Sequence, residues 1–221
     1  MKETFKNLPT EKQERILDAF LREFLEKDFE HASLSKVVDL LGIAKGSVYQ
    51  YFGSKLELYQ SLQTICQAEK MRYVLGIERT SQPSFWDWYR ELFQAGIRFD
   101  MERPLHSQFL YRSNQDRSNP QLSQQRDATF RASIDLFAGI VAKEQEGGEL
   151  SKDFAAEFIS LTIVSQSLAL RDYLEVYLRI DLGRHISEDN TVFAREAEHI
   201  FAFVDQSIAM LKLAFTPTSQ S

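Results

Sequence analysis

The stretch Leu41-Gly42-Ile43-Ala44-Lys45-Gly46-Ser47-Val48-Tyr49-Gln50-Tyr51-Phe52-Gly53-Ser54-Lys55 constrains this chain more than any other. Before it, Val37, Val38 and Leu41 fall at helical spacing behind Ser33 and Ser35, either of which can cap a helix start, and Gly42 then suits the positive φ of a tight turn. A second short helix is expected from Lys45 to Phe52. Two helices this short cannot each bury much surface, so Val37, Leu41, Ile43, Val48 and Phe52 must share a core with a third. That third helix is legible from Thr10 to Lys27, where Ile16, Phe20 and Phe24 recur at four-residue steps beside Leu17, Leu21 and Leu25. Thr10 and Gln13 stand in the capping-box arrangement, and Pro9 discourages helical geometry just upstream. Three helices packed in this way form a helix-turn-helix unit.

The rest of the chain sets the context. With 221 residues, 43% of them hydrophobic and 12% aromatic, it can bury a substantial core. Cys66 is the single cysteine, so an intrachain disulfide and a cysteine-based metal cage are both excluded, and a reducing cytoplasm is the expected compartment. Lys2, Glu3, Lys6, Glu11, Lys12, Glu14 and Arg15 interrupt the apolar positions near the N-terminus, unlike a signal peptide. The longest apolar run, from Phe158 to Leu170, is broken by Ser160, Thr162, Ser165, Gln166 and Ser167, so no membrane span is expected. The net charge of −6 argues at first against nucleic acid. Residues 1–55 nevertheless carry nine basic and nine acidic side chains, so all six surplus negatives lie in residues 56–221. From Lys36 to Lys55 three lysines face only Asp39, a local positive bias on the segment that would read DNA.

At Ile16-Leu17-Asp18-Ala19-Phe20, Phe29-Glu30-His31-Ala32-Ser33 and the stretch from Leu41 to Lys55, the sequence resembles the tetracycline-repressor (TetR) family of transcription regulators. The family pattern A-G-V-S-K-G-T-L-Y-x-x-F-x-x-K is matched in register at Gly42, Lys45, Gly46, Tyr49, Phe52 and Lys55. Three positions depart from it: Ala44 stands where a Ser or Thr cap is usual, Asp28 where a glycine often ends the first helix, and Val38 where a small alanine is usual. The resemblance implies a dimeric regulator that binds an operator in double-stranded DNA and responds to a small molecule.

Physical roles follow for the matched positions, because a recognition helix offers its N-terminal residues to base edges while flanking donors grip phosphates. Gly46 allows close backbone approach, and Lys45 and Lys55 can reach phosphates at the two ends of the short helix. Ser47, Tyr49 and Gln50 lie on its outward side, and Gln50 can pair bidentately with adenine. Tyr51 is expected to bond a phosphate. Ser33 resembles the family's hydroxyl that touches the adjoining strand. The bland alternative makes the tyrosines half-buried aromatics and the lysines an ordinary solvated face.

Beyond Lys55 the helical pattern resumes without a linker, Ser54 capping a long helix toward Tyr73 and Ile77. Breaks fall at Ser81-Gln82-Pro83-Ser84, Glu102-Arg103-Pro104, Ser113 to Pro120, Gly147-Gly148 and Gly183 to Asn190. No strand pattern lies between them, so the expected fold is all-α. Residues 1–55 are expected to form the DNA-binding domain, 56–215 a helical-bundle domain for ligand binding and dimerisation, and 216–221 a disordered tail.

Aromatic density in the second domain is high. For each of Trp86, Trp88, Tyr89, Phe93, Phe109, Tyr111, Phe130 and Phe137 a core role is favoured, while as a group they favour a cavity. By the resemblance, that cavity would hold an apolar or aromatic effector, with Arg98, Arg112 or Gln108 orienting its polar end. The last two helices, expected over 151–180 and 191–215, present more apolar surface than one face needs and suit pairing across a two-fold axis.

Enzymatic alternatives find little support. Glu196-x-x-His199 is half of a ferritin-type carboxylate site, which needs a second such pair, and His31, His106 and His185 have no glutamate three residues before them. The chain has no G-x-S-x-G elbow and no phosphate-cradling loop, Cys66 reads as an inert buried thiol, and no cofactor or resident metal is implied.

Overall fold

The computed structural model describes residues 1–180 and 196–217. Among them every regular element is helical. The elements are α1 (Glu3–Lys6), α2 (Thr10–Glu26), α3 (Leu34–Leu41), α4 (Lys45–Phe52), α5 (Lys55–Val74), a 3-10 turn (Arg79–Ser81), α6 (Phe85–Glu102), α7 (Pro104–Gln115), α8 (Pro120–Glu146), α9 (Ala156–Asp172), a π turn (Tyr173–Tyr177) and α10 (Ala197–Phe215). No helix among the described residues is long and apolar enough to cross a membrane.

The chain divides into two compact units, one of Met1–Arg72 with Arg103–Gln124, the other of Tyr73–Glu102 with the described part of Gln125–Ser221. In the first unit, the expected rhythm of α2 buries Ile16, Phe20, Leu21 and Phe24. They pack with Val37, Val48 and Phe52, each no more than 2% exposed, from α3 and α4. Phe24 meets the Tyr59 ring of α5 edge-on at 4.8 Å, and Tyr59 in turn meets Phe109 of α7 at 5.1 Å. Aromatic edges of this kind add about 0.5–1.5 kcal/mol each to the burial itself.

The second unit is built on α6. Phe85, Trp86, Trp88, Tyr89, Phe93 and Ile97 pack against Val141, Ile159, Ile163, Ile200, Val204 and Ile208 from α8, α9 and α10. The indole and phenol donors of this core find partners. Trp88 Nε1 donates to the Ile77 carbonyl at 3.1 Å, Trp86 Nε1 to Thr216 Oγ1 at 3.1 Å and Tyr89 Oη to the Ile163 carbonyl at 3.1 Å. Arg79 clamps Glu144 bidentately, Nε and Nη2 each at 2.9 Å from a carboxylate oxygen, which ties the 3-10 turn to α8.

Two local expectations are corrected. Thr10 is the first residue of α2 and makes no cap bond; Pro9 occupies the cap, and Gln13 Nε2 donates back to the carbonyls of Lys6 (3.0 Å) and Leu8 (2.8 Å). The penultimate helix starts at Ala156 and not near Ser151. The Ser151 hydroxyl accepts the Asp153 N–H, and Gln145 Nε2 donates to the carbonyls of Ser151 and Phe154, so this segment is held as a turn. The last helix is described from Ala197, and the expected start at Thr191, the break from Gly183 to Asn190, His185, and residues 218–221 of the expected tail lie outside the described residues.

Candidate nucleic-acid interface

Ser33 opens α3 from an extended backbone, its hydroxyl accepting the Lys36 N–H at 3.3 Å, so the first of the two capping serines is the one used. The helix stops where Gly42 enters the left-handed region at φ 66°. The Ile43 N–H then bonds the Val38 carbonyl at 3.1 Å and turns the chain. Ala44 stays extended and offers no side-chain cap, and α4 follows.

On α4, Val48 and Phe52 point inward, while Lys45, Gly46, Tyr49 and Gln50 face solvent; Tyr49 is 57% exposed despite its large ring. Ser47 and Tyr51 are half-buried. The Tyr51 ring meets Phe5 edge-on at 5.6 Å and keeps its place beside the exposed pair. Apart from the neighbouring backbone of its own helix, no atom of the chain lies within 4 Å of the point where a Cβ on Gly46 would stand, so packing does not call for glycine there.

The basic residues divide by how they are occupied. Lys36 is committed, pairing with Glu23 and Glu26, each at 2.9 Å, and both pairings hold its ammonium above the usual lysine range. Lys55 donates to the Glu30 carbonyl at 3.0 Å and sits 5.1 Å above the Phe29 ring. Lys45 is exposed and has no carboxylate partner among the described residues. The loop before Ser33 is anchored at several points: the Phe29 N–H bonds Asp116 at 2.9 Å, Asn119 donates to Glu30 at 3.3 Å, and Asp28 accepts the His31 N–H at 2.9 Å. That backbone bond and the His31 ring together hold the Asp28 carboxyl below its usual range.

Sequence reasoning missed α1. Phe5 is fully buried, its ring 4.9 Å from that of Phe52, and residues 2–4 bond the end of α4. The available signal was slight: lone apolar residues Phe5 and Leu8 before Pro9, in a helix too short to display a period.

The aromatic candidates fall in both units. Trp86, Trp88, Tyr89 and Phe93 are buried in the second unit, where Phe137 packs against them with its ring 6.3 Å from Trp88. Phe130 is 40% exposed on α8. Phe109 is fully buried in the first unit on Phe24 and Tyr59, and Tyr111 is half-buried in that same unit. Gln108 is buried there too, whereas Arg98 and Arg112 are exposed. Among the described residues no group of three or more His, Cys, Asp and Glu side chains is placed to hold a metal ion, and Glu196 instead bonds His199 at 3.2 Å.

A three-helix core that turns one short helix outward, two polar side chains and an open backbone leading, within a chain whose described regular elements are all helical, is a helix-turn-helix unit of the DNA-binding type. Residues 16–62 match the family model described as "Bacterial regulatory proteins, tetR family". The matched segment runs from α2 through the helix-turn-helix into the first part of α5.

Solved structures agree on the fold. A TetR family transcriptional regulator from Chloroflexus aurantiacus J-10-FL superposes with a TM-score of 0.80 at 24% identity, over 98% of this chain and 99% of that one. The transcriptional regulator FadR from Bacillus subtilis, solved in complex with stearoyl-CoA, gives 0.65 at 14% identity over 90% and 96%. SmeT in a complex with triclosan gives 0.65 at 16% over 95% and 94%. No curated protein matches significantly.

Proposed function

We propose that this chain is a ligand-responsive repressor that binds a palindromic operator as a homodimer and leaves it when a small apolar or aromatic molecule binds. The observation that carries the reading is the outward face of α4, where Tyr49 and Gln50 are exposed beside a glycine for which the fold itself has no use. Gln50, Tyr49 and Ser47 read base edges, Lys45, Lys55, Tyr51 and Ser33 grip phosphates, and Gly46 lets the sugar-phosphate backbone come close.

Dimerisation is supported by an apolar stripe left uncovered on the second unit: Phe158 (52% exposed), Leu161 (42%) and Leu168 (45%) on α9, with Met210 (51%) and Leu213 (86%) on α10. Single exposed leucines need no explanation, but large apolar side chains exposed at helical spacing on two helices that pack together support a surface that is covered in use. Two copies joined there would present two reading helices to successive major grooves, about 34–36 Å apart. The apolar effector is supported by the aromatic core of the second unit and by the bound molecules of two similar folds, stearoyl-CoA in FadR and triclosan in SmeT.

Selection of duplexes from a random pool tests the reading. The winner should be a palindrome, bound with an affinity that falls steeply as salt rises. Stearoyl-CoA and triclosan are then added at fixed salt while Trp86 and Trp88 fluorescence is followed; release of the duplex by an apolar molecule is expected. Failure to enrich any sequence would overturn the DNA-binding reading. Ligand binding that leaves duplex affinity unchanged would overturn the coupling.

A further inference from the structure

Helix α4 is poorly anchored by its own sequence. It spans only Lys45–Phe52, has no side-chain cap at Ala44, and buries just Val48 and Phe52. A helix of that length does not hold itself in water, and its last carbonyls need outside partners. Those partners come from the segment before Pro9. Thr4 Oγ1 donates to the Gln50 carbonyl at 2.8 Å, Lys2 Nζ to the Tyr49 carbonyl at 3.1 Å and the Lys2 backbone N–H to the Tyr51 carbonyl at 2.8 Å. The Lys2 ammonium thus also stands where a helix end attracts positive charge. Phe5, fully buried against Phe52, fixes the segment that carries these three donors.

The carbonyls held in this way belong to Tyr49 and Gln50, whose side chains face outward, and to Tyr51. We infer that Lys2 and Thr4 are positioning residues for DNA recognition: they fix the rotation and axial position of α4, and so the direction in which Tyr49 and Gln50 point. The inference rests on the regulator reading proposed above. The family match begins at residue 16, so this clamp lies outside the matched segment. It makes the N-terminal arm a determinant of operator affinity without any contact to DNA.

The test uses the full chain and the duplex that the wild type selects from a random pool. Thr4→Val keeps the shape of the side chain and removes the donor; its affinity should fall about fivefold, the equivalent of one neutral hydrogen bond. Because no phosphate contact is lost, the salt dependence should stay at its wild-type slope. In the unbound protein the amides of Phe52 and Gly53 should exchange faster than in the wild type, while those in the middle of α2 are unchanged. Thr4→Ser, which restores the hydroxyl, should recover both affinity and protection, and Lys2→Met should resemble Thr4→Val in exchange. A Thr4→Val chain that binds the selected duplex as tightly as wild type, or whose α4 amides exchange at the wild-type rate, overturns the inference alone. A wild type that selects no duplex overturns the regulator reading and this inference with it.

Discussion

The Glu23 carboxylate accepts the Ser33 backbone N–H at 2.9 Å, so a buried acid on α2 holds the residue that starts α3. Its second oxygen lies 2.9 Å from the Lys36 ammonium, and the side chain is only 4% exposed. Burial alone would push this carboxyl up; the Ser33 bond and the charge and bond from Lys36 outweigh it and hold the group below its ordinary value of 4.5. A depressed carboxylate stabilises the fold above its ordinary value and stops doing so as pH falls through the folded value. Glu23→Gln should therefore cost about 1–3 kcal/mol at neutral pH by weakening charged hydrogen bonds. Urea unfolding of both proteins should show the gap closing as pH drops below 4.5.

His106 on α7 faces Glu69 of α5 at 3.4 Å, with Arg103 also paired to Glu69 and with Asp18 of α2 nearby. Burial is the largest influence on the ring and lowers its pKa; Arg103 acts in the same direction, Glu69 and Asp18 oppose, and the balance lies below the ordinary 6.5. The unfolded chain then takes the proton first, so stability falls as pH drops below 6.5 toward the folded value. His106→Gln should flatten that part of the curve. Thermal unfolding midpoints on either side of this pH would measure it, and equal slopes for the two proteins would refute the assignment.

Gly46→Ala separates a structural glycine from one kept for a partner. With open space at its Cβ and a helical backbone, alanine should hold or raise stability by up to about 1 kcal/mol. Duplex affinity should nevertheless drop, because the added methyl group meets the sugar-phosphate backbone. Calorimetric unfolding beside a binding titration gives both values, and loss of stability without loss of binding would reverse the argument.

Gln50→Ala and Lys45→Met should fail in different ways. Removing the amide should cost about 1–3 kcal/mol on the selected duplex and relax preference at one base position. Removing the ammonium should weaken all duplexes alike and reduce the salt slope by about one. Binding titrations against the selected and scrambled duplexes at several salt concentrations distinguish the two.

The double variant Phe158→Glu, Leu213→Glu places charge on side chains 52% and 86% exposed in the single chain. It should leave the helical content intact and shift sedimentation from dimer to monomer. Affinity for a palindrome should fall by far more than affinity for a half-site, because one reading helix is lost to the complex.

Much of the interface was legible because its signals are local. Ser33 before a short apolar helix, Gly42 after it, the period from Lys45 to Phe52 and Ser54 at the start of α5 each depend on a few neighbouring residues, and the structure places each as read. The Thr10 and Gln13 pairing fitted a capping box equally well on paper. It yielded to Pro9, whose fixed φ begins the helix one residue earlier.

Alone, the amino-acid order determined the bounds of α3 and α4, the apolar face of α2, and that α4 carries polar side chains where a core would need none. Tertiary structure decided which distant groups meet: Phe109 with Phe24 and Tyr59, Asp116 with the Phe29 backbone, Glu23 with Ser33, and Lys2 and Thr4 with the end of α4. The physical reason is range. Helix periodicity and capping act over three or four residues, whereas a buried donor or ring takes whichever partner packing brings within reach, at sequence separations that no local pattern encodes.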